Sequence, residues 1–506
     1  MRTFEIILIL VNFLSLFMSF KKQSKVMSLG VAAINLSVFL IHGIFEGFRY
    51  QMIFSYIFVI LFFVYTLVKT NDRFFEARTP KTLKIIAISI SIISLAVTSV
   101  LAYVLPVFEL PMPTGSYDVG IEYFHLIDEN RTEPFLNNPA QKRELMVKVY
   151  YPAENDNSKP FDRYFHNSSE LIRLFTAGYG MPDFIFSHLK LVKTNSKEEL
   201  QISNKEQSYP VILFSHGAGT TMEVQTSQCE DLASNGYIVA AIDHTYVSAA
   251  TVFPDKVVSD KEATTFFNTN ESEEIITQIM ADDSKFVIES LNEMNEGKID
   301  SIFKGKINLN EIGAMGHSLG GAVAYNLAIN ESRVKAAINL DGRVYDIPKE
   351  NSTQMAPFLM LANDKYHIQS IQNRESLLKK FEELPEEEQQ IMISEFMYGS
   401  KEAYNEAYNK ATQIAIELTD ILKKSGNLFT IEGSDHMKFT DIGFFIGSSQ
   451  LRELIDIGGK TEPVRCLEIT KSVTLAFFNQ HLKGESLESL ESLVEKYPEL
   501  KKVDIK

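Results

Sequence analysis

At 506 residues the chain is too long for one ordinary domain, and its formal charge of −16 is unevenly spread. Residues 1–110 hold ten Lys/Arg against five Asp/Glu, leaving a strongly acidic remainder that argues against nucleic acid or polyanion partners. Two distant cysteines, Cys229 and Cys466, exclude a disulfide framework and a cysteine-based zinc site.

Four apolar stretches, about 4–20, 27–45, 52–68 and 85–108, come first. Each approaches the ~20 residues a helix needs to cross hydrocarbon, which predicts a four-helix transmembrane bundle over 1–110. Lys21 and Lys22 follow the first stretch where a signal peptide would need small residues, so an uncleaved helix is expected. The first loop holds Lys21, Lys22 and Lys25, the second Arg49 against Glu46. The third holds Lys69, Arg73, Arg78, Lys81 and Lys84 against Asp72 and Glu76. The positive-inside rule puts loops one and three in the cytoplasm and everything after about Leu110 outside the cell membrane. His42 and Glu46 read as interfacial residues.

From Pro111 the pattern changes. Residues 144–151 alternate as a half-exposed antiparallel strand does. Residues 211–214, 237–242, 312–315, 336–340 and 357–361 are continuous apolar runs of the kind found in buried parallel strands. Helical stretches at 224–235, closed by Gly236, and at 273–295 separate some of them. Strands alternating with helices predict a mostly parallel sheet covered on both faces. A Glu/Lys/Gln-rich helical insertion at about 374–424 is either a lid over the active site or a solvated surface hairpin. Residues 486–506 read as an exposed tail, so the second domain is expected over 111–485.

Gly316-His317-Ser318-Leu319-Gly320 has the Gly-x-Ser-x-Gly form of a nucleophile elbow, with an apolar run before it and a small-residue helix start after it. Such a turn pushes a serine Oγ clear of the backbone, and the glycines relieve crowding around it. Of the ten histidines only His367, His436 and His481 follow Ser318. His436 sits in a polar loop after the apolar run 428–431, where a base belongs; His481 falls in a predicted helix and His367 at the edge of the insertion. Two carboxylates end strands, Asp341 and Asp364, and spacing leaves both open as the acid. His216-Gly217-Ala218-Gly219 after an earlier strand suits the second half of an oxyanion hole, with Ala218 N–H joining Leu319 N–H. His216 reads as a loop organiser, and His244, beside Asp243, as structural.

These blocks together resemble the platelet-activating-factor acetylhydrolase family of calcium-independent, phospholipase A2-type serine esterases. The anchors are Phe214–Gly219, Ala240–His244, Gly316–Gly321, Asn339-Leu340-Asp341 and Gly433–His436, the last continuing into Phe439-Thr440-Asp441. The resemblance implies an α/β-hydrolase fold and a triad of Ser318, Asp341 and His436. It favours Asp341 because the family's acid follows the strand after the elbow helix. Related cutinase-like polyester hydrolases place it one strand later, which keeps Asp364 as the alternative. The N-terminal membrane region and the 374–424 insertion depart from the family. The expected activity is hydrolysis of carboxylic esters, including short-acyl phospholipids, through an acyl-serine, with no cofactor and no metal; its partners are an ester or lipid substrate and the bilayer. An acyltransferase, or a membrane sensor with a degenerate hydrolase domain, are the alternatives.

Overall fold

The structure is a computed structural model. It describes the chain apart from residues 22, 72–79, 167–168, 264–268, 347–354, 364–366, 395–396, 456, 486–487 and 506, and apart from the side chains of 269–272. The chain forms two compact units. One contains 1–109, 163–192 and 444–448; the other contains 110–162, 193–443 and 449–506.

The first unit holds helices α1 (Thr3–Ser19), α2 (Lys25–Phe45), α3 (Ile53–Thr70) and α4 (Lys81–Val104), followed by α5 (Ser169–Gly178) and α6 (Asp183–Phe186). Among the described residues, three helical segments, Lys25–Phe45, Tyr50–Thr70 and Lys81–Val104, are long and apolar enough to cross a membrane. The expected fourth span is not among them. Helix α1 has 17 residues, about 26 Å at 1.5 Å per residue, short of the ~30 Å hydrocarbon core. Its first turn also carries Glu5, buried and paired with buried Arg49 at 2.6 Å. Leu10, Phe17, Ile44, Leu61 and Ile93 are all exposed on these helices, as lipid-facing side chains would be. Between helices, Asn12 donates to Ser55 and Asn35 to Ser15, each at 3.0 Å. His42, expected at the interface, is buried between Glu46 and the Tyr56 hydroxyl. Phe108, Phe165, Phe175 and Phe186 gather around Phe445, which ties the later segments into this unit.

The second unit is built on a ten-stranded sheet. Its strands begin with β1 (Asp118–Thr132), β2 (Lys142–Ala153), β3 (Ser196–Glu198), β4 (Tyr209–Ser215) and β5 (Ile238–Asp243). A separate hairpin, β6 (Ala250–Val252) and β7 (Val257–Ser259), precedes β8 (Ile307–His317), β9 (Val334–Leu340), β10 (Phe358–Ala362), β11 (Leu428–Ile431) and β12 (Leu500–Lys502). The order across the main sheet is β12-β11-β10-β9-β8-β4-β5-β2-β1-β3. The six strands from β11 to β5 run parallel, while β2 and β12 flank them antiparallel. The parallel strands are buried on both faces, which is why they read as unbroken apolar runs.

Helices cover both faces. α7 (Thr226–Ser234), α8 (Thr269–Glu296), α9 (Leu319–Asn330), α10 (His367–Asn373), α11 (Glu386–Met392), α12 (Lys401–Ser425), α13 (Ser449–Leu454), α14 (Pro463–Phe478) and α15 (Leu490–Lys496) complete the unit. One core layer joins Val287 and Leu291 of α8, Val323 and Leu327 of α9, and Leu418 and Leu422 of α12. The other joins Leu232 of α7, Val473 and Phe477 of α14, and Leu493 of α15. Helix α12 of the insertion is therefore half core, with its polar face outward. The tail expected to be exposed instead folds: Leu490, Leu493, Tyr497 and Leu500 are buried, and β12 pairs with β11. After β4 the chain crosses to β5 on one side and returns to β8 on the other. The loops ending β4 and β8 thus meet at a topological switch point, where open α/β sheets place their sites.

Candidate active site

Ser318 is the single residue between β8 and α9, and its backbone sits at φ 55°, ψ −122°. This is a region that non-glycine residues rarely occupy, and strain of this kind persists only when the surroundings hold it. Here they do. Ser318 N–H donates to Leu340 O at 2.9 Å, and its carbonyl accepts from Gly321 N–H at 2.8 Å. A Cβ on Gly316 would strike the Gly320 carbonyl, and one on Gly320 would strike Ser215 O, so both motif glycines are sterically required. A Cβ on Gly217 would lie 3.0 Å from Ser318 Cβ, which places the 216–219 turn beside the serine.

That turn is braced from within. Gly219 N–H donates to Val247 O and Thr220 N–H to Gly217 O, and the Thr220 hydroxyl also reaches Gly217 O at 2.7 Å. Among the described residues, Ala218 N–H has no backbone acceptor. Leu319 N–H belongs to the first turn of α9, where helix geometry offers no internal partner. Two amides next to one serine are therefore available to an oxygen bearing negative charge.

Asp341 follows β9 directly, at φ 56°, with its amide bonded to Leu361 O. Its carboxylate is buried and fully engaged. Oδ2 accepts from His436 Nδ1 at 2.7 Å and from the Asn363 amide group, while Oδ1 accepts from Asn363 N–H at 2.8 Å and from His367 Nδ1 at 2.8 Å. Burial pushes this carboxyl up, but the hydrogen bonds from His367 and His436 outweigh it and hold it below the usual carboxylate range, hence ionised. His436 itself is 41% exposed, whereas the Asp341 side chain is wholly covered. Its backbone carbonyl accepts from His317 Nε2 at 2.8 Å, and the two rings lie 4.6 Å apart. Burial, aided by the neighbouring His436, drives His317 down to about 3, so it stays neutral and acts as a brace.

Ala218, Ser318, Asp341 and His436 follow the C-terminal ends of β4, β8, β9 and β11, and Leu319 opens α9. Asp364, the alternative acid, lies outside the described residues. His481 lies in the turn that extends α14, its ring 4.5 Å from that of Phe477. His367, expected at the edge of the insertion, instead reaches Asp341. Asn363 was not singled out; its place just past β10 was the available signal. His244, expected beside Asp243, bonds Asp283 Oδ2 through Nδ1 at 3.0 Å and Ser215 Oγ through Nε2 at 3.1 Å. Asp283 is in turn gripped by Arg143. This second serine–histidine–aspartate chain is fully buried, and its His244 N–H donates to His216 Nε2, so it stiffens the 216–219 turn. Burial, then the nearby His244, pushes His216 down to about 3, as a neutral loop organiser requires.

The model of the family described as platelet-activating factor acetylhydrolase, isoform II, matches residues 104–499. The chain belongs to that family. Residues 1–103 lie outside the matched region. Among its relatives, the platelet-activating factor acetylhydrolase of Cavia porcellus is 23% identical over 395 residues, covering 74% of this chain and 78% of the relative. The Gallus gallus protein of the same name is 21% identical, covering 66% and 78%. A probable 1-alkyl-2-acetylglycerophosphocholine esterase of Arthroderma benhamiae is 23% identical over 47% of this chain and 60% of its own length. A solved structure of a ferulic acid esterase from Streptomyces cinnamoneus superposes with a TM-score of 0.53 at 23% identity, covering 78% of this chain and 99% of that one. With the parallel sheet and its covering helices, this makes the fold an α/β-hydrolase. Family and fold together make the chain an ester-hydrolysing enzyme.

Proposed function

We propose that this family member is a membrane-anchored serine esterase that cleaves short-acyl, platelet-activating-factor-type phospholipids outside the cytoplasm. Ser318 Oγ attacks the ester carbonyl while His436 takes its proton, and Asp341 holds the imidazole tautomer and stabilises the imidazolium. The Ala218 and Leu319 N–H groups receive the oxyanion. His436 then protonates the departing alcohol, and a water, activated by the same histidine, releases the acid from the acyl-serine. The observation carrying this reading is the 2.7 Å bond from the part-exposed His436 to buried Asp341, set at the same sheet edge as strained Ser318. The names of the relatives support the substrate class, and the three long apolar helices support anchoring.

The test is labelling with a fluorophosphonate, read by peptide mapping, alongside turnover of 2-acetyl and 2-palmitoyl phosphatidylcholine in vesicles. Covalent label on Ser318 and preference for the acetyl lipid are expected. An unlabelled Ser318 would remove the mechanism, and preference for the long chain would remove the substrate class.

A further inference from the structure

We propose that His367 is a positioning residue for the hydrolytic reaction, fixing which oxygen of Asp341 serves the base. This rests on the roles given above to Asp341 and His436. Two imidazoles share one buried carboxylate, His367 on Oδ1 at 2.8 Å and His436 on Oδ2 at 2.7 Å. A carboxylate held from one side only can turn about its Cβ–Cγ bond and offer either oxygen. Asn363 holds both oxygens, its N–H on Oδ1 and its side-chain amide on Oδ2, and His367 adds the second bond to Oδ1, so a turn that offered Oδ1 to the base would break all three.

The second effect is electrostatic. Each donor on a carboxylate disperses its charge and weakens its hold on a neighbouring imidazolium. The bond from His367 therefore draws on the same carboxylate charge that holds His436. On its other side His367 lines a cavity of about 320 Å³ between α8, α10 and α12, floored by Met360, Ile371, Ile414 and Leu418. The titratable groups facing it there are Arg343, Tyr345, Glu273, Glu274, Tyr398 and Lys410. Tyr345 donates to Glu273 at 2.6 Å and Lys410 pairs with Glu274, so these four are engaged with one another. Around His436 the corresponding groups are His317, from β8, and Asp435, which is tied to the Met437 and Gly459 amides.

Two substitutions in the full chain test this: His367→Leu, which removes the donor, and His367→Asn, whose amide N–H can replace Nδ1–H. Steady-state rates on p-nitrophenyl acetate are followed across pH. For His367→Leu, kcat should fall about 10- to 100-fold with little change in KM, as misorientation of a catalytic group does. The acid limb of kcat/KM should move to higher pH, and His367→Asn should recover most of the rate. A purely structural role would lower the rate in proportion to folded protein and leave the profile in place; that result, or a wild-type rate in His367→Leu, overturns the proposal. Fluorophosphonate mapping of the wild type separates the two levels. Label on Ser318 with an unmoved profile sinks only His367, whereas no label on Ser318 sinks the triad and this inference with it.

Discussion

Replacing Asp341 by asparagine keeps the side chain's volume but turns one acceptor into a donor, which favours the wrong tautomer of His436. Turnover of p-nitrophenyl acetate should fall on the order of 10⁴-fold with the fold intact. Asp364→Asn should be mild, and the reverse pattern would move the acid to the later strand. A different carboxylate gives a stability signature. Asp441 is fully buried, and burial pushes it up to about 7 despite hydrogen bonds from the Ser227 hydroxyl and amide. An unfolded aspartate titrates near ~3.9, so the native state binds this proton more tightly. The resulting stabilisation is complete below about pH 4 and is lost as pH rises through about 7. Asp441→Asn should therefore shrink the difference between thermal midpoints measured near pH 5 and near pH 8. An unchanged difference would mean that Asp441 does not titrate in that window.

The strand–elbow–helix element of β8 and α9 stands or falls on its glycines. A methyl on Gly320 meets the backbone carbonyl of Ser215, which no rotamer change can move. Gly320→Ala should cost about 2–3 kcal/mol or more and remove activity, read by thermal unfolding together with fluorophosphonate labelling. A stable, labelled variant would show that β4 and α9 can part without harm. Because the elbow is one short contiguous motif, Gly316, Ser318 and Gly320 were legible in the chain, as were the parallel strands with their unbroken apolar runs. Contacts that fold back over distance were not. Asp243 adjoins His244, yet neighbours leaving a strand point to opposite faces, and the partner is Asp283 on α8. His367 carries no local pattern that marks it; only the packing of α10 brings it to Asp341. Leu500–Lys502 is too short to read as a strand, and the bounds of α1 were legible while the burial of its Glu5 against Arg49 was not.

At the scale of the molecule, the charge asymmetry of residues 1–110 predicts an outward catalytic unit on a membrane-embedded N-terminus. Cys229 and Cys466 are both buried, so a surface cysteine can be read cleanly. Asn157, exposed in the second unit, is a suitable site. Asn157→Cys should react with a membrane-impermeant maleimide on intact cells; protection until lysis would reverse the orientation. Tethering raises the local concentration of bilayer esters. A released 111–506 fragment should accordingly keep its rate on soluble short-chain esters and lose much of it on vesicle-borne lipid. Equal losses on both would instead mean that the first unit is needed for folding.

The antiparallel pairing of β12 with β11 carries a consequence for how the enzyme comes into being. Ile431 pairs with Leu500, and Glu432 N–H donates to Glu499 O at 2.8 Å, just before the loop that presents His436. A ribosome delivers the apolar helices and the rest of the sheet before residues 499–502. Until then β11 is an open edge and the histidine loop lacks one of its anchors. Chains interrupted during translation before Glu499 should therefore be esterase-silent, even with Ser318, Asp341 and His436 already made. An interrupted chain would hold every residue of the proposed triad and still present its base on a loose edge.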